Sequence, residues 1–418
     1  RRGRYVLYWC RWSRRVEANH ELAFAAGVAN RMKLPLVVYQ RITAAGDRSH
    51  TFELQGVPEF AAAVRCLDAG FVLQLARRKH STAEDRSAIF DGAALVVTDD
   101  CLRATPPLAV QLIAVDSTCI VPMEAIGGPC YAAYSIRPRI QKLLPQHLKP
   151  VAVTPLRVSC TECFPRLHTG IDPGCIDALV AECAIDHSVP PSTVFRGGRA
   201  AALRTLDVFL KDRLHRYASE KNEPSAHATS DLSPYLHYGH IGALEVALAV
   251  REHAEAHRLM DGEFLEELIV RRELAYNFAH YTPRLDTLDA LPAWARKTIA
   301  DHRRATRETI YSGSSSSLPP RTTICETLRK RNFACEARST AITACIGARR
   351  FCSGRRQRRT LSQRCFTYTI DMLWMATIPI LTRISFGVSD CMTGHSPKSP
   401  FLGRFDPWYG PGWNGRPT

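Results

Sequence analysis

The sequence predicts an α/β protein: a doubly wound, Rossmann-like parallel sheet, then a mainly α-helical domain, then a tail that belongs to neither. Three observations carry this. Short runs that are apolar throughout alternate with helical stretches up to about residue 140. The hydrophobic period becomes helical after residue 192, and beyond residue 312 no period remains.

"RYVLYWC" (Arg4 to Cys10) is a short β-type run, and "VEANHELAFAAGVANRM" after it puts Leu22, Ala25, Ala26 and Ala29 on one helical face. "LPLVVYQ" follows at the distance of one crossover helix, which makes a βαβ unit. "GVPEFAAAVRCLDAG" reads as helix, "FVLQLA" and "GAALVVTDD" as strands, and "LAVQLIAVDSTCIVP" as a further strand. Strands without polar alternation, separated by helices, need cover on both faces, and that is a parallel sheet. No GxGxxG follows the first strand, so a standard dinucleotide site is unsupported there. From Ile136 to about Ser192 the chain is rich in Pro and loop formers and reads as a connector. "AALRTLDVFLKDRLHRYASEKN" then places Leu203, Leu206, Phe209, Leu210 and Leu214 at helical spacing; "SPYLHYGHIGALEVALAVREH", "EFLEELIVRRELAYNFAHY" and "LPAWARKTIADHRRATRETIYS" continue the pattern.

Length and composition fit two or three globular domains: 418 residues, 45% hydrophobic and 23% charged. No apolar run is long enough for a transmembrane helix. The net charge of +15 is uneven, since residues 313–418 hold 16 Lys+Arg against 5 Asp+Glu and the rest 39 against 35. Bulk basicity therefore says little about partners. The chain starts at Arg1 without Met and reads as a fragment whose targeting is not legible. Fifteen irregularly spaced cysteines suggest reduced intracellular thiols. Cys160-x2-Cys163, with His168, Cys175 and Cys183 downstream, comes closest to a metal set, but no second pair completes it and no metal is expected.

Chemistry concentrates in two helical motifs. In "TSDLSP", Thr229, Ser230, Leu232 and Ser233 lead into a helix with Pro234 near its first turn. Hydroxyls and free N–H groups there can bind phosphate oxygens, and Ser233 equally suits a plain N-cap. In "EELIVRREL", Glu267 and Arg271 stand four apart and would share a helix face, as a solvated ion pair or as charges held for a ligand on a cavity wall.

Taken together, "RYVLYWCRWSRRVEANHELAFA", "GAALVVTDD", "YAAYSIRPRI", "FRGGRAAALRTLDVFL", "TSDLSPYLHYGHI", "FLEELIVRRELAYNF" and "LPAWARKTIADH" resemble, in order, the signatures of class II cyclobutane pyrimidine dimer photolyases, within the photolyase/cryptochrome family, over residues 4–312. The resemblance implies an α/β antenna domain over residues 1–140, a connector over 141–192 and part of a helical FAD-binding domain over 193–312. Tyr217, Thr229, Ser230, Leu232 and Ser233 are similar to the FAD-binding residues, with Arg271 at the flavin or lesion wall. Glu267 resembles the catalytic carboxylate that hydrogen-bonds the dimer's bases; Arg272, Glu273 and Asn277 are its rivals, and Arg271 and Arg272 would also contact DNA. Tyr238 and His240 stand where Phe and Gln are usual, and Cys10 and Trp12 interrupt the usual exit of the first strand. The implied activity is that of a carbon–carbon lyase: light-driven electron donation from reduced FAD into a dimer flipped out of the duplex. A second antenna chromophore of deazaflavin or folate type is an option within the family. The implied partner is DNA containing such dimers, met by a monomer with no membrane contact in the cytoplasm or nucleus. The alternative is a cryptochrome-like flavin photoreceptor that leaves dimers intact.

Past "RETIYS" the family pattern stops, yet a shifted frame recovers it. "RSTAITACIGA" (Arg338 to Ala348) can be encoded so that reading from the third base gives Ile-Tyr-Gly-Tyr-Tyr-Gly-Met-Tyr-Trp-Gly. "DMLWMATIPILTRIS" (Asp371 to Ser385) at the same offset gives Tyr-Ala-Val-Asp-Gly-Asn-Asp-Pro-Asn-Ser-Tyr-Ala-Asn-Ile. Both resemble late family motifs. The expectation is a frame shift between Ser312 and Arg321, a poorly folded tail over 313–418, and apolar surface left exposed around Leu268 and Phe278. The competing reading is a basic nucleic-acid-binding tail, for which "RRFCSGRRQRR" argues best.

Overall fold

The five apolar runs form one all-parallel sheet in a computed structural model, which describes residues 3–43, 46–76, 84–100, 108–161, 168–187, 189–282, 287–291 and 293–301. The strands β1 (Tyr5–Cys10), β2 (Leu36–Ile42), β3 (Gly70–Leu75), β4 (Ala93–Asp99) and β5 (Leu112–Val115) lie in the order β3-β2-β1-β4-β5. Helices α1 (His20–Met32), α2 (Asp47–Arg65) and α3 (Glu84–Asp91) connect the first four. Central β1 is buried along its whole length. Val6 and Tyr8 pack with Leu22, Ala25, Ala26 and Ala29 of α1, while Tyr5, Leu7 and Trp9 meet Ile89 and Phe90 of α3 on the opposite face. This two-sided cover is what runs without polar alternation require.

The strand order reverses between β1 and β4, which makes the C-terminal edge there a topological switch point. There Asp99 closes the β1 exit, its carboxylate accepting from the backbone N–H of Arg11 at 2.6 Å and of Ser13 at 2.8 Å. Beside it Glu21 is fully buried and accepts from the hydroxyls of Ser117 and Ser13. Burial, followed by the nearby Asp99, pushes the Glu21 carboxyl well above the usual range.

Two expectations change. The run "LAVQLIAVDSTCIVP" is strand only over β5, because Asp116 accepts from the N–H of Cys119 and Met123, at 3.1 and 3.2 Å, and turns the chain out of the sheet. After the short α4 (Met123–Ile126), the Pro-rich stretch is helical through Pro138 and Pro145 as α5 (Ala133–His147). Interior Pro costs roughly 3 kcal/mol; Ile136 and Ile140, at 0% and 1% exposure, offset this by entering the helical core. Cys119 to Ile140 therefore pack with the helical half. Further on, α6 (Ile176–Ala181) folds back against the sheet, where Ile176 and Val180 meet Ile42, Leu54 and Leu73. Cys160, Cys175 and Cys183 are not in disulfides, and Cys163 lies outside the described residues.

The helical half comprises α7 (Arg199–Val208), α8 (Leu214–Glu220), α9 (Ser233–His237), α10 (Ala243–His257), α11 (Gly262–Leu265), α12 (Arg272–Tyr281) and α13 (Ala293–Asp301). Wide π turns join α7 to α8 over Phe209–Arg213 and α11 to α12 over Glu266–Arg271. A π turn brings residues five apart onto one face. Phe209 and Leu214 are accordingly both buried, Leu210 only partly, and Leu203 stands out at 40% exposure. No helix among the described residues is long and apolar enough to cross a membrane.

The halves meet where the β1 exit receives the loop after α9. Arg14 pairs with Glu53 of α2 at 2.6 Å and donates to the Tyr238 carbonyl, while Arg15 donates to that of Gly239. Gly239 has φ 69°, and a Cβ there would stand 1.9 Å from the Trp12 carbonyl oxygen, so only glycine fits. His240 stacks on Phe52 at 5.2 Å and its Nδ1 accepts from the Gly198 N–H at 3.1 Å.

Candidate functional site

One face of α8, with the residues just before and just after it, organises the predicted site. Arg213, Tyr217 and Lys221 follow at intervals of four and so project the same way. Arg213 donates through Nη1 to the Thr229 carbonyl at 3.0 Å and to Asp231 Oδ2 at 2.8 Å. The Thr229 hydroxyl donates to Asp231 Oδ1 at 3.3 Å, and the Ser230 hydroxyl accepts from the Leu232 N–H at 3.4 Å. Asp231 sits in the left-handed region at φ 57°, which an Asp tolerates better than most residues. Arg216 holds the other side of this loop through the Ala226 carbonyl at 2.9 Å. Leu232 is fully buried and anchors the loop in the core, and Ser233 opens α9.

The Tyr217 ring meets Phe209 and Phe264 edge-on, with centroids 5.8 and 5.2 Å away, and Lys221 Nζ lies 5.4 Å from its centre. Lys221 reaches Glu263 at 2.7 Å and Glu267 at 3.3 Å. One cation shared by two carboxylates fixes Glu267 next to an aromatic wall. The hydroxyls of this loop, the guanidinium that ties it, and the tyrosine and ammonium one and two turns along are the groups here able to meet a phosphate-bearing ligand; in this structure Arg213 is paired with Asp231 and Lys221 with Glu263 and Glu267.

The π turn corrects the expected Glu267–Arg271 pair. Its wider period sets Arg271 against Glu266, five residues back, with Nε 3.5 Å from Oε1. Glu266 is also gripped by Arg137 of α5 at 2.6 and 3.1 Å.

The rivals of Glu267 point elsewhere. Arg272 is buried, donates to the Thr118 carbonyl at 2.5 Å and lies 4.8 Å from the centre of the Tyr276 ring. Its guanidinium is thus spent on a backbone carbonyl inside the protein. Glu273 Oε1 accepts from the N–H of Ile120 and Val121, at 2.7 and 3.1 Å, while its buried Oε2 has no protein partner. Burial outweighs those two bonds and raises the Glu273 carboxyl to about 8. Asn277 closes the set, accepting from the Cys130 N–H at 2.7 Å and donating to the Gly128 carbonyl at 3.0 Å. Leu268 is buried in the helical core, and Phe278 is half-buried.

Sequence reasoning missed Arg213, Lys221, Glu263, Glu266 and Arg137. Arg213 and Lys221 carried a signal, each four residues from Tyr217. The partners across the gap carried none, because the π turns decide which residues face it.

Comparison with known proteins gives a consistent picture. Proteins named deoxyribodipyrimidine photo-lyase are 34% identical over 326 residues in Methanothermobacter thermautotrophicus and 32% over 339 in Oryza sativa subsp. japonica. A third, from Arabidopsis thaliana, is 33% identical over 331 residues. These alignments take in 74%, 74% and 73% of this chain, which spans about two thirds of the relatives' length: 69%, 65% and 65%. No family model matches. The solved structure of a bacterial class III photolyase from Agrobacterium tumefaciens superimposes with TM-score 0.64 over 97% of this chain and 83% of that one, at 16% identity, a likeness of fold.

Proposed function

Because this chain belongs to the deoxyribodipyrimidine photo-lyase family, we propose that it derives from a class II enzyme which repairs cyclobutane pyrimidine dimers in DNA by light-driven electron transfer from FAD. The observation that carries the proposal is the shared face of Arg213, Tyr217 and Lys221, which links the hydroxyl-bearing loop to Glu267. On this reading Thr229, Ser230 and Ser233 hold the flavin phosphates. Leu232 and Tyr217 pack beside the cofactor, and Arg271 stands at the cavity wall. The chemistry a reduced flavin supplies when bound is photoexcited electron donation to the cyclobutane ring.

The chain's own residues do the rest. Glu267 offers its carboxylate to the bases of the extruded dimer, and Lys221 holds that carboxylate in place. Phe209, Tyr217 and Phe264 keep water from the adjoining wall, which strengthens every polar contact beside it. Extrusion costs less for a dimer than for an intact pair, because a distorted lesion stacks poorly.

We infer further that residues 313–418 are read out of frame and leave the flavin cavity incomplete. In support, residues 4–312 make up about the same share of the chain, 74%, that the sequence alignments take in. The test compares the chain with a version whose frame is restored between Ser312 and Arg321, measuring bound flavin absorbance and light-dependent loss of dimers. The restored protein is expected to bind flavin stoichiometrically and repair, and the chain as written to do neither. Repair by the chain as written would overturn the frame inference; a folded, restored protein without flavin would overturn the function.

A further inference from the structure

The surface beside Glu266 carries a pattern that the flavin site does not use. From Ala125 to Thr161 there is no Asp or Glu, while Arg137, Arg139, Lys142, Lys149 and Arg157 fall within the stretch. All of α5 lies in it, and α5 buries one narrow side through Ala133, Ile136 and Ile140. Its outward half presents Tyr134 at 66% exposure, next to Tyr131 at 73% just before the helix; Lys142 and Lys149 are also exposed. Two neighbouring tyrosines this open are unusual, because a phenol ring normally covers apolar surface.

The segment bearing them is held firmly. Asn277 clamps the Gly128 carbonyl and the Cys130 N–H, Arg139 donates to the Ile126 carbonyl at 3.1 Å, and the Ser135 hydroxyl donates to the Ala132 carbonyl at 2.7 Å. Through the Arg137–Glu266 bond the same helix abuts the turn that carries Glu267. A rigid basic segment with no carboxylate of its own and with two aromatic rings, at the edge of a proposed lesion site, is complementary to one charged strand with exposed base and sugar faces.

We propose that this face of α5 is a DNA-docking surface: Lys142 and Lys149 neutralise backbone phosphates flanking the lesion, and Tyr131 and Tyr134 pack on bases or sugars of that strand. The proposal rests on the DNA-repair reading and extends it to residues outside the flavin pocket. The experiment measures binding of the full chain to a dimer-containing duplex by fluorescence anisotropy across a salt series. K142E/K149E is expected to weaken binding at least tenfold near 0.1 M salt and to lower the slope of log affinity against log salt by about 2, one for each phosphate that a lysine no longer neutralises. Y131A/Y134A is expected to weaken it about tenfold with the slope unchanged, and Y131F/Y134F to bind as the parent does. These side chains are exposed, so melting temperatures should stay at the parent's value and show that the fold is intact. Unchanged affinity and slope in both K142E/K149E and Y131A/Y134A would overturn the surface. If the frame-restored protein repairs dimers all the same, only the surface has failed and the function stands. A parent chain that binds no duplex overturns the surface as well, while flavin uptake and repair report on the function separately.

Discussion

His240 and Glu273 are buried titratable groups with opposite consequences for stability. Burial, then the charges of Arg14 and His237, lower His240 to about 3 from an ordinary value near 6.5. The unfolded chain therefore takes up a proton below pH about 6.5 that the folded chain refuses, so stability is full above that pH and falls as pH drops towards about 3. Between pH 7.5 and 5 this one group should cost about 2 kcal/mol. H240Q, which keeps an acceptor for the Gly198 N–H, should remove that loss in urea titrations at the two pH values. Glu273 behaves in reverse. Its folded value near 8 means that the folded chain holds a proton the unfolded chain releases, so stability is full below pH about 4.5 and is lost as pH rises through about 8. E273Q should match the parent near pH 4 and exceed it increasingly as pH rises, most of all at pH 9. E273A should cost about 2 to 4 kcal/mol at pH 6 by leaving the N–H groups of Ile120 and Val121 without a partner.

The decisive elements are the two π turns. Each adds a residue to what would otherwise be a straight helix, and each re-aims the helix that follows by about 100°. For Glu266–Arg271 the result is a division of labour: Glu267 faces Lys221, whereas Arg272, Glu273 and Asn277 face residues 118–130. Deleting Val270 should restore α-helical spacing and turn that second set out of its clefts. We expect a loss of at least about 3 kcal/mol in chemical denaturation, because several buried N–H and C=O groups lose their partners at once. The loop of Thr229 to Ser233 depends on α8 in the same way. R213A should leave the fold intact yet release the loop, lowering flavin affinity of the frame-restored protein about tenfold and speeding proteolysis between residues 226 and 233.

At the scale of the molecule, the joint between the sheet and the helices is polar, tight and intolerant of added volume. A Cβ at Gly56 would lie 2.5 Å from His240 Nε2. G56A should therefore push the loop after α9 off the β1 exit, and thermal unfolding should separate into two transitions; a single transition at the parent temperature would contradict this. Much of the architecture was legible beforehand. The apolar runs located β1 to β4 and the helical period located α7 to α12, because burial on two faces or on one stripe writes itself into the order of side chains. The family motifs singled out Tyr217, the Thr229 to Ser233 loop and Glu267 for the same reason, as local patterns. The helical course of the Pro-rich stretch, the early end of β5 and the burial of Arg272 were not legible, since each is settled by a partner distant in the chain: the helical core for Ile136, Asp116 for the turn after β5, and the Thr118 carbonyl for Arg272.

The amino-acid order alone determined the fold class, the order of β1 to β4 and of α7 to α12, and the family, because hydrophobic period and motif spacing are properties of neighbouring residues. Tertiary structure decided which carboxylate meets which cation. A single extra residue in a helical turn rotates all that follows, and only packing against distant segments fixes where such a turn falls.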